Sequence, residues 1–381
     1  MKLLLGVDGG GTKTAFLLTD QTGRTLAEDT APGSSYKQIG IDPVAKQLLS
    51  GAKRCLDAAG APWEALAGVC LGLPCLGESA EGDSALLTSL RRAFSTVALL
   101  NVNDAEVGFS GSLAGDEGVN IVAGTGSIAF GRNSRGETAR CGGWSEFFGD
   151  EGSCYWAGRR TMELFSKEAD GRLPKNALYE IIRMEFSLAE DFAFIDLMER
   201  AFLSSRRKVA SLQPLLERAA RAGDAAAAEI YRQAADELAL IVRGVAGQLG
   251  FLGGSFPVSY SGGLFKAGDL VLPAFEEAVS ALGGRLCRPL LSPVEGAVRT
   301  DLFSRKLRNS PSDTAGKTRL KPRREDGPAL DDGPPNPYNF NQQEDVTMYL
   351  TEQEIMGTQE ALMRSYEQIE SQEQEIKRFF E

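Results

Sequence analysis

A two-lobed α/β protein is what this sequence predicts, and three observations carry that expectation. A strand, a Gly/Thr-rich turn and a second strand occur twice, at Leu3 to Leu18 and again at Val119 to Arg132. The apolar runs of the first hundred or so residues come in the order strand, strand, strand, helix, strand, helix, strand, a mixed α/β layer with polar residues at strand ends. Beyond them a long helical stretch, Asn176 to about Leu249, precedes another strand and glycine turn at Pro257 to Phe265. The repeat reads as similarity between two lobes, and also as two unrelated hairpins.

The first element is Leu3-Leu-Leu-Gly-Val7, an apolar strand that ends in Asp8. Gly9, Gly10 and Gly11 follow, then Thr12, Lys13 and Thr14 before apolar residues resume at Ala15. Glycines permit positive φ and carry no Cβ, so backbone N–H groups can converge on an anion. Thr12 and Thr14 add hydroxyl donors, Lys13 adds a cation, and Asp8 is placed to hold a hydrated Mg²⁺. An ordinary glycine-rich turn is the plainer reading. A Walker loop is excluded, because the GxxxxGK[ST] spacing and the helix after it are missing.

A turn at Asp20 to Arg24 leads to a third strand, Thr25 to Thr30, and a polar loop, Ala31 to Tyr36. Asp42 is expected to cap a helix with Pro43 at its first position. Leu66 to Leu73 reads as a buried strand, Ser84 to Phe94 as a helix, and Val97 to Val102 as a strand that ends at Asn103-Asp104. In the second unit Val119 to Ala123 and Ile128 to Arg132 flank the turn Gly124-Thr-Gly-Ser127. Arg140 to Ser153 is a loop dense in glycine and acid, and it opens a helix at Tyr155 to Phe165. Leu270 to Leu282 is a helix, Arg285 to Leu291 an edge strand, and Ser292 opens a last helix running to about Leu307. The expected domains are 1–104 and 105–307, with the last helix able to pack back on the first lobe, then a disordered linker at 308–345 and a polar helix at 346–381.

Composition narrows the partners. The formal net charge of −11 argues against nucleic acid or anionic membrane. Residues 309–381 alone hold 15 acids against 8 bases. No apolar run approaches the ~20 residues of a membrane helix, and no signal-peptide pattern opens the chain. The six cysteines form no CxxC pair, so neither zinc nor an iron–sulfur cluster is suggested and a reduced, cytoplasmic protein is expected. With no histidine, any proton acceptor has to be a carboxylate.

Asp104 is the leading candidate. A carboxylate within hydrogen-bond reach can orient a sugar hydroxyl and take its proton late in transfer, and at an ordinary pKa of about 3.9 it is ionised. As a lone Asp after a strand it could equally be a cap, and Asn103 and Glu106 compete for the role. Asp150 and Glu151 precede a helix start, where acids cap, or Asp150 accepts sugar hydroxyls beside a Gly142-Gly143-Trp144 surface. Gly262 and Gly263 would let an adenosine lie against bare backbone, or simply form a strand-to-helix turn. Cys141 and Cys154 flank the glycine–acid loop, as buried thiols or as substrate contacts.

In order, Asp8 to Thr14, Asn103-Asp-Ala105, Gly124 to Ser127, Gly142-Gly-Trp144 with Gly149-Asp-Glu-Gly-Ser153, and Ser261-Gly-Gly263 resemble the N-acetylglucosamine kinase group. That group belongs to the BadF/BadG/BcrA/BcrD-type ATPases, within the actin/Hsp70/sugar-kinase fold, which implies a duplicated ribonuclease H-like architecture with a central cleft between two lobes. The resemblance covers about residues 1–307. It implies ATP and Mg²⁺ as cofactors and an amino sugar, with N-acetylglucosamine and its 6-phosphate as the leading pair. It implies that Gly9, Gly10, Gly11, Thr12 and Lys13 bind ATP phosphates and that Asp8 acts on Mg²⁺ through water. Thr125 and Gly126 would form the second phosphate hairpin, and Ser127 would lie close to the sugar. Asp104 would be the base, Gly143, Trp144 and Asp150 would bind the sugar, and Gly262 and Gly263 would line the adenosine pocket. Where animal members carry an asparagine on sugar hydroxyls this chain has Ser35, a shorter partner, so glucosamine and N-acetylmuramic acid stay open. Ser145-Glu-Phe-Phe148 also departs from the group and can alter the pocket wall. No nucleic acid or membrane partner is implied, and a homodimer is left open. The rivals are an ATPase that activates another enzyme and a non-catalytic sugar sensor.

Overall fold

The computed structural model describes residues 2–299, all within one compact unit. The expected linker at 308–345, the helix at 346–381 and the run of the last helix to Leu307 lie outside the described residues.

The first lobe is built on five strands, β1 (Leu3–Gly9), β2 (Lys13–Asp20), β3 (Thr25–Pro32), β4 (Leu66–Leu73) and β5 (Ala98–Asn103). They are ordered β3-β2-β1-β4-β5, with β1–β3 antiparallel and β4 and β5 parallel to β1. Leu3, Leu5, Val7, Val69 and Leu71 are fully buried, as expected of central strands covered on both faces. Its helices are α1 (Tyr36–Ile39), α2 (Ile41–Ala58) and α3 (Ala80–Ala93). Asp42 does not cap α2: Gly40, at φ +87°, takes the cap position, and Asp42 falls in the first turn where its charge suits the helix dipole. The third helix starts earlier than its apolar pattern, because the Ser79 hydroxyl accepts the Gly82 N–H at 3.2 Å.

α4 (Asp104–Ser112) carries the chain to a second sheet of β6 (Gly118–Ala123), β7 (Ser127–Arg132) and β8 (Thr138–Gly142). A helical stretch follows, α5 (Cys154–Ala169), α6 (Ala177–Glu185), α7 (Ala193–Ala201), α8 (Arg206–Ala210), α9 (Gln213–Arg221) and α10 (Ala225–Leu249). The chain then returns to the sheet with β9 (Phe256–Ser261), α11 (Leu272–Ser280), β10 (Gly284–Cys287) and α12 (Pro293–Val298). The order is β10-β9-β6-β7-β8, again three antiparallel strands and then two parallel ones. The two sheets share one topology strand for strand, which turns the weak sequence repeat into a structural duplication. β8 corrects the loop expected around Arg140: Thr138 to Gly142 pair with Ile128 to Arg132, although Arg-Cys-Gly-Gly has no strand pattern of its own.

α4 and α12 pack on one another; α12 also lies on β1, and α4 touches strands of both sheets. Glycine makes the approach possible. A Cβ on Gly296 would collide with the Val107 carbonyl and the Gly111 nitrogen, and one on Gly6 would stand 2.7 Å from Val298. Two large cores result, one around β1 and β4 in the first lobe, the other around α5, α10 and β6 in the second, and a small third cluster of Cys70, Val102, Val107 and Ala297 lies where α4 and α12 pack.

Candidate active site

Each sheet presents a hairpin between its first two strands. In the first, Gly9 pairs with Thr14 and the Gly10 N–H donates to the Lys13 carbonyl at 2.9 Å, which closes the turn. The backbone N–H groups of Gly11 and Thr12 make no hydrogen bond among the described residues. Gly11, Thr12 and Lys13 are all exposed. Gly9 has to be glycine here: a Cβ would collide with Ser34 Oγ and stand 2.7 Å from the Gly72 carbonyl.

In the second hairpin Ala123 pairs with Ser127 and the Gly124 N–H donates to the Gly126 carbonyl at 2.9 Å. The turn is held on the start of α5. The Gly124 carbonyl accepts the Cys154 N–H at 2.8 Å, and the Thr125 carbonyl accepts the Tyr155 N–H at 3.3 Å. The Ser153 hydroxyl caps α5 by accepting the Trp156 N–H at 3.1 Å. With its carbonyls taken, the turn keeps the Thr125 and Gly126 N–H groups unbonded among the described residues. Gly262, at φ +110°, leans on this turn, where a Cβ would collide with the Ala123 carbonyl. Gly263 follows, 3.2 Å from Cys154 Sγ by the same construction.

Asp104 opens α4 at the end of β5, and its own Oδ1 accepts the Ala105 N–H at 3.0 Å. Asn103 is the cap: its Oδ1 also accepts the Ala105 N–H, at 3.0 Å, and its Nδ2 donates to the Leu76 carbonyl at 2.8 Å. That leaves Asn103 spent on structure. Asp104 does not keep the ordinary pKa expected of it. Burial first, and then the negative charge of Asp8, push it up to about 7, against the opposing pull of the Ala105 N–H and Arg140. Asp8 is raised to about 6 by burial, with Lys13 acting the other way. The Asp8 carboxylate has no hydrogen-bond donor among the described residues. A hard, hydrated divalent cation needs such an oxygen, so this donor set fits Mg²⁺ held through water. No group of three potential ligands occurs among the described residues, and Mg²⁺ asks for fewer when phosphates share it.

The sugar-loop residues divide. Gly143, at φ +70°, donates its N–H to the Ser127 carbonyl at 2.8 Å, and its own carbonyl accepts from Arg140 Nη2 at 3.2 Å. Arg140 also reaches Glu78 Oε1 of the first lobe, at 3.5 Å, and Glu78 takes Lys37 Nζ at 2.7 Å. Trp144 is 72% exposed, on a loop where Phe147 and Phe148 are also open to solvent. Asp150 and Ser127 are instead buried and bonded to their surroundings. Asp150 Oδ1 accepts the Ser127 N–H at 3.1 Å, its Oδ2 pairs with Arg206 Nη2, and Ser127 Oγ donates to the Glu151 carbonyl at 2.7 Å. Ser35 is buried too, its hydroxyl 3.5 Å from Cys75 Sγ.

Sequence reasoning missed Arg140, Glu78 and Arg206. Arg140 was hidden inside an unrecognised strand. Nothing local marks Arg206, which meets Asp150 across 56 residues of chain.

Comparison with known proteins agrees with this geometry. An N-acetylmuramic acid/N-acetylglucosamine kinase of Clostridium acetobutylicum is 29% identical over 267 residues, 70% of this chain and 86% of that protein. An N-acetyl-D-glucosamine kinase of Dictyostelium discoideum is 30% identical over 273 residues, 69% of this chain and 85% of that protein. A crystal structure from Chromobacterium violaceum, assigned as an N-acetylglucosamine kinase, superposes with a TM-score of 0.63 at 28% identity, covering 78% of this chain and 98% of that one. The family model of the BadF/BadG/BcrA/BcrD ATPases matches residues 5–298. With two matching sheets, a glycine hairpin on each and the family pattern across both, this chain belongs to the BadF/BadG/BcrA/BcrD ATPase family.

Proposed function

We propose that this protein is an ATP-dependent amino-sugar kinase that moves the γ-phosphoryl group of ATP onto a sugar hydroxyl, N-acetylglucosamine to its 6-phosphate being the leading reaction. One observation supports it above the rest: two hairpins with unbonded backbone N–H groups, one per sheet, and the carboxylate of Asp104 at the strand end of the first lobe. The relatives are named for amino sugars, which supports that substrate class.

Phosphoryl transfer needs positioning and charge stabilisation more than covalent chemistry. The Gly11 and Thr12 N–H groups, with Lys13, would hold ATP phosphates from one side, and the Thr125 and Gly126 N–H groups from the other. Asp8 would hold Mg²⁺ through water, a cation that supplies neutralisation of phosphate charge. Asp104 accepts the hydroxyl proton as the sugar oxygen forms its bond to the γ-phosphorus and the bond to the ADP oxygen breaks. A carboxylate raised to about 7 is a stronger proton acceptor than an ordinary one, which suits it to a poorly acidic hydroxyl. Gly143 and the Trp144 face would form the sugar surface, and Gly262 and Gly263 the adenosine wall. All six cysteines are free, which supports a cytoplasmic setting.

The test is ADP release from ATP against N-acetylglucosamine, glucosamine and N-acetylmuramic acid. At least one sugar is expected to raise turnover well above the sugar-free rate, with a sugar monophosphate as product. Equal rates with and without every sugar would overturn the proposal.

A further inference from the structure

Arg206 touches two parts of the site that lie far from it in the chain, the second hairpin at Gly126 and the loop that carries Glu146 and Asp150. It is the first residue of α8, a short helix capped by the Ser205 hydroxyl. Its Nη2 pairs with Asp150 Oδ2. The other oxygen of Asp150 accepts the Ser127 N–H, at the foot of the second hairpin. The guanidinium also fills the space over Gly126, where a Cβ would collide with Nη2 and stand 2.5 Å from Asp150 Oδ1. Its Nε is buried without a hydrogen-bond partner, 3.9 Å from Glu146 on the aromatic loop.

This is an expensive arrangement. Asp150 is 1% exposed and sits at φ +60°, a conformation a non-glycine residue keeps only where its surroundings over-determine it. Burial holds its carboxyl above the usual range even with Arg206 and the Ser127 N–H beside it. A buried acid stripped of its cation is costly, so without Arg206 the Asp150 carboxylate has reason to leave its place. Because Asp150 grips Ser127, that movement would reach the hairpin.

We propose that Arg206 is a positioning residue for phosphoryl transfer. It pins Asp150, and through Asp150 it fixes the second hairpin against the sugar loop. The inference rests on the kinase reading for its effect on rate, but the pin itself is a property of this chain. Gly126 is part of it, since any side chain there displaces the guanidinium. A lysine cannot replace Arg206 fully, because a point charge cannot meet Asp150 and lie flat over Gly126 together.

Two readouts test it on the full chain. The first is hydrogen exchange of the Ser127 amide, which needs no activity. It is expected to be protected in the parent, at least tenfold faster in Arg206→Ala, and slowed again by added guanidinium ion. The second is steady-state kinetics. A misplaced reacting group costs rate more than affinity, so Arg206→Ala and Gly126→Ala are each expected to lower kcat roughly 10- to 100-fold, with smaller changes in the KM for sugar. Their double variant is expected to be little worse than either single one, because both remove the same pin. Should Arg206→Ala fail to fold, Arg206→Lys takes its place, with partial loss of protection and of kcat. Unchanged Ser127 exchange, full kcat in Arg206→Lys, or losses that multiply in the double variant would each overturn the proposal. Sugar-independent turnover in the parent would sink the kinase reading instead, and the exchange measurement would still decide the pin.

Discussion

The negative charge of Asp8, at the end of β1, is after burial the second cause that holds the carboxyl of Asp104 up at about 7. Two acids at the ends of β1 and β5, parallel strands of one sheet with β4 between them, therefore titrate in the range where enzymes work, which ties catalysis to pH. If Asp104 is the base, its ionised form is the active one. kcat/KM for the sugar is then expected to fall about tenfold per pH unit below about 7 and to level off above it, measured at constant ionic strength. A rate that stays flat from pH 5 to 8 would remove Asp104 from that role.

The same relationship can be tested from the other side. Asp8→Asn takes away the charge that raises Asp104, so the acid limb of sugar binding is expected to move to lower pH. Titration of sugar affinity, read by calorimetry, separates this from the loss of ATP turnover that the variant also brings. No shift would mean that burial alone sets the Asp104 value.

Gly262→Ala addresses the second hairpin. The position needs φ +110° and has no room beside the Ala123 carbonyl, so either strain or displacement follows. ATP affinity is expected to drop at least tenfold. Gly247→Ala, in the last turn of α10 with only Leu252 at 3.6 Å, is expected to leave ATP affinity unchanged.

The second lobe carries a pH-sensitive feature away from the site. Glu168, 0% exposed, is raised to about 7 by burial and then by the charge of Asp224, which accepts N–H groups from Leu178, Ala226 and Ala227. A folded-state value above the unfolded one means that the native protein holds this proton more tightly. Stability is then full below the unfolded value near 4.5 and is lost as pH rises through about 7. Glu168→Gln is expected to melt higher than the parent at pH 8.5, by roughly 2–4 °C for each kcal/mol relieved, and to lose that advantage at pH 5. An equal gap at both pH values would contradict the assignment.

What the sequence disclosed was the chemistry that is local in the chain. Both glycine hairpins, the acid that ends β5 and the helical character of residues 176–249 could be read from neighbouring residues, because turns, strand ends and helical spacing are set within a few positions. The pairing partners could not. β8 has no alternation of its own and becomes a strand because β7 offers it an edge. Asp42 with Pro43 looks like a helix start, yet Gly40 with its positive φ begins α2 earlier. Asp150 and Ser127 were expected at the sugar, and the structure gives their polar atoms to Arg206, to each other and to the Glu151 carbonyl, contacts that only tertiary packing could reveal. The raised pKa of Asp104 has the same origin, since burial and the charge of Asp8 arise only when β1 and β5 share a sheet.

The most direct test of the account is the single-turnover rate of phosphoryl transfer in Asp104→Asn, with sugar and ATP binding measured alongside. Asparagine keeps the shape and can still bond a hydroxyl, but it cannot take the proton. The account predicts a transfer rate lower by roughly 10²- to 10⁴-fold, with the sugar still bound. A variant that transfers phosphate within twofold of the parent would contradict it.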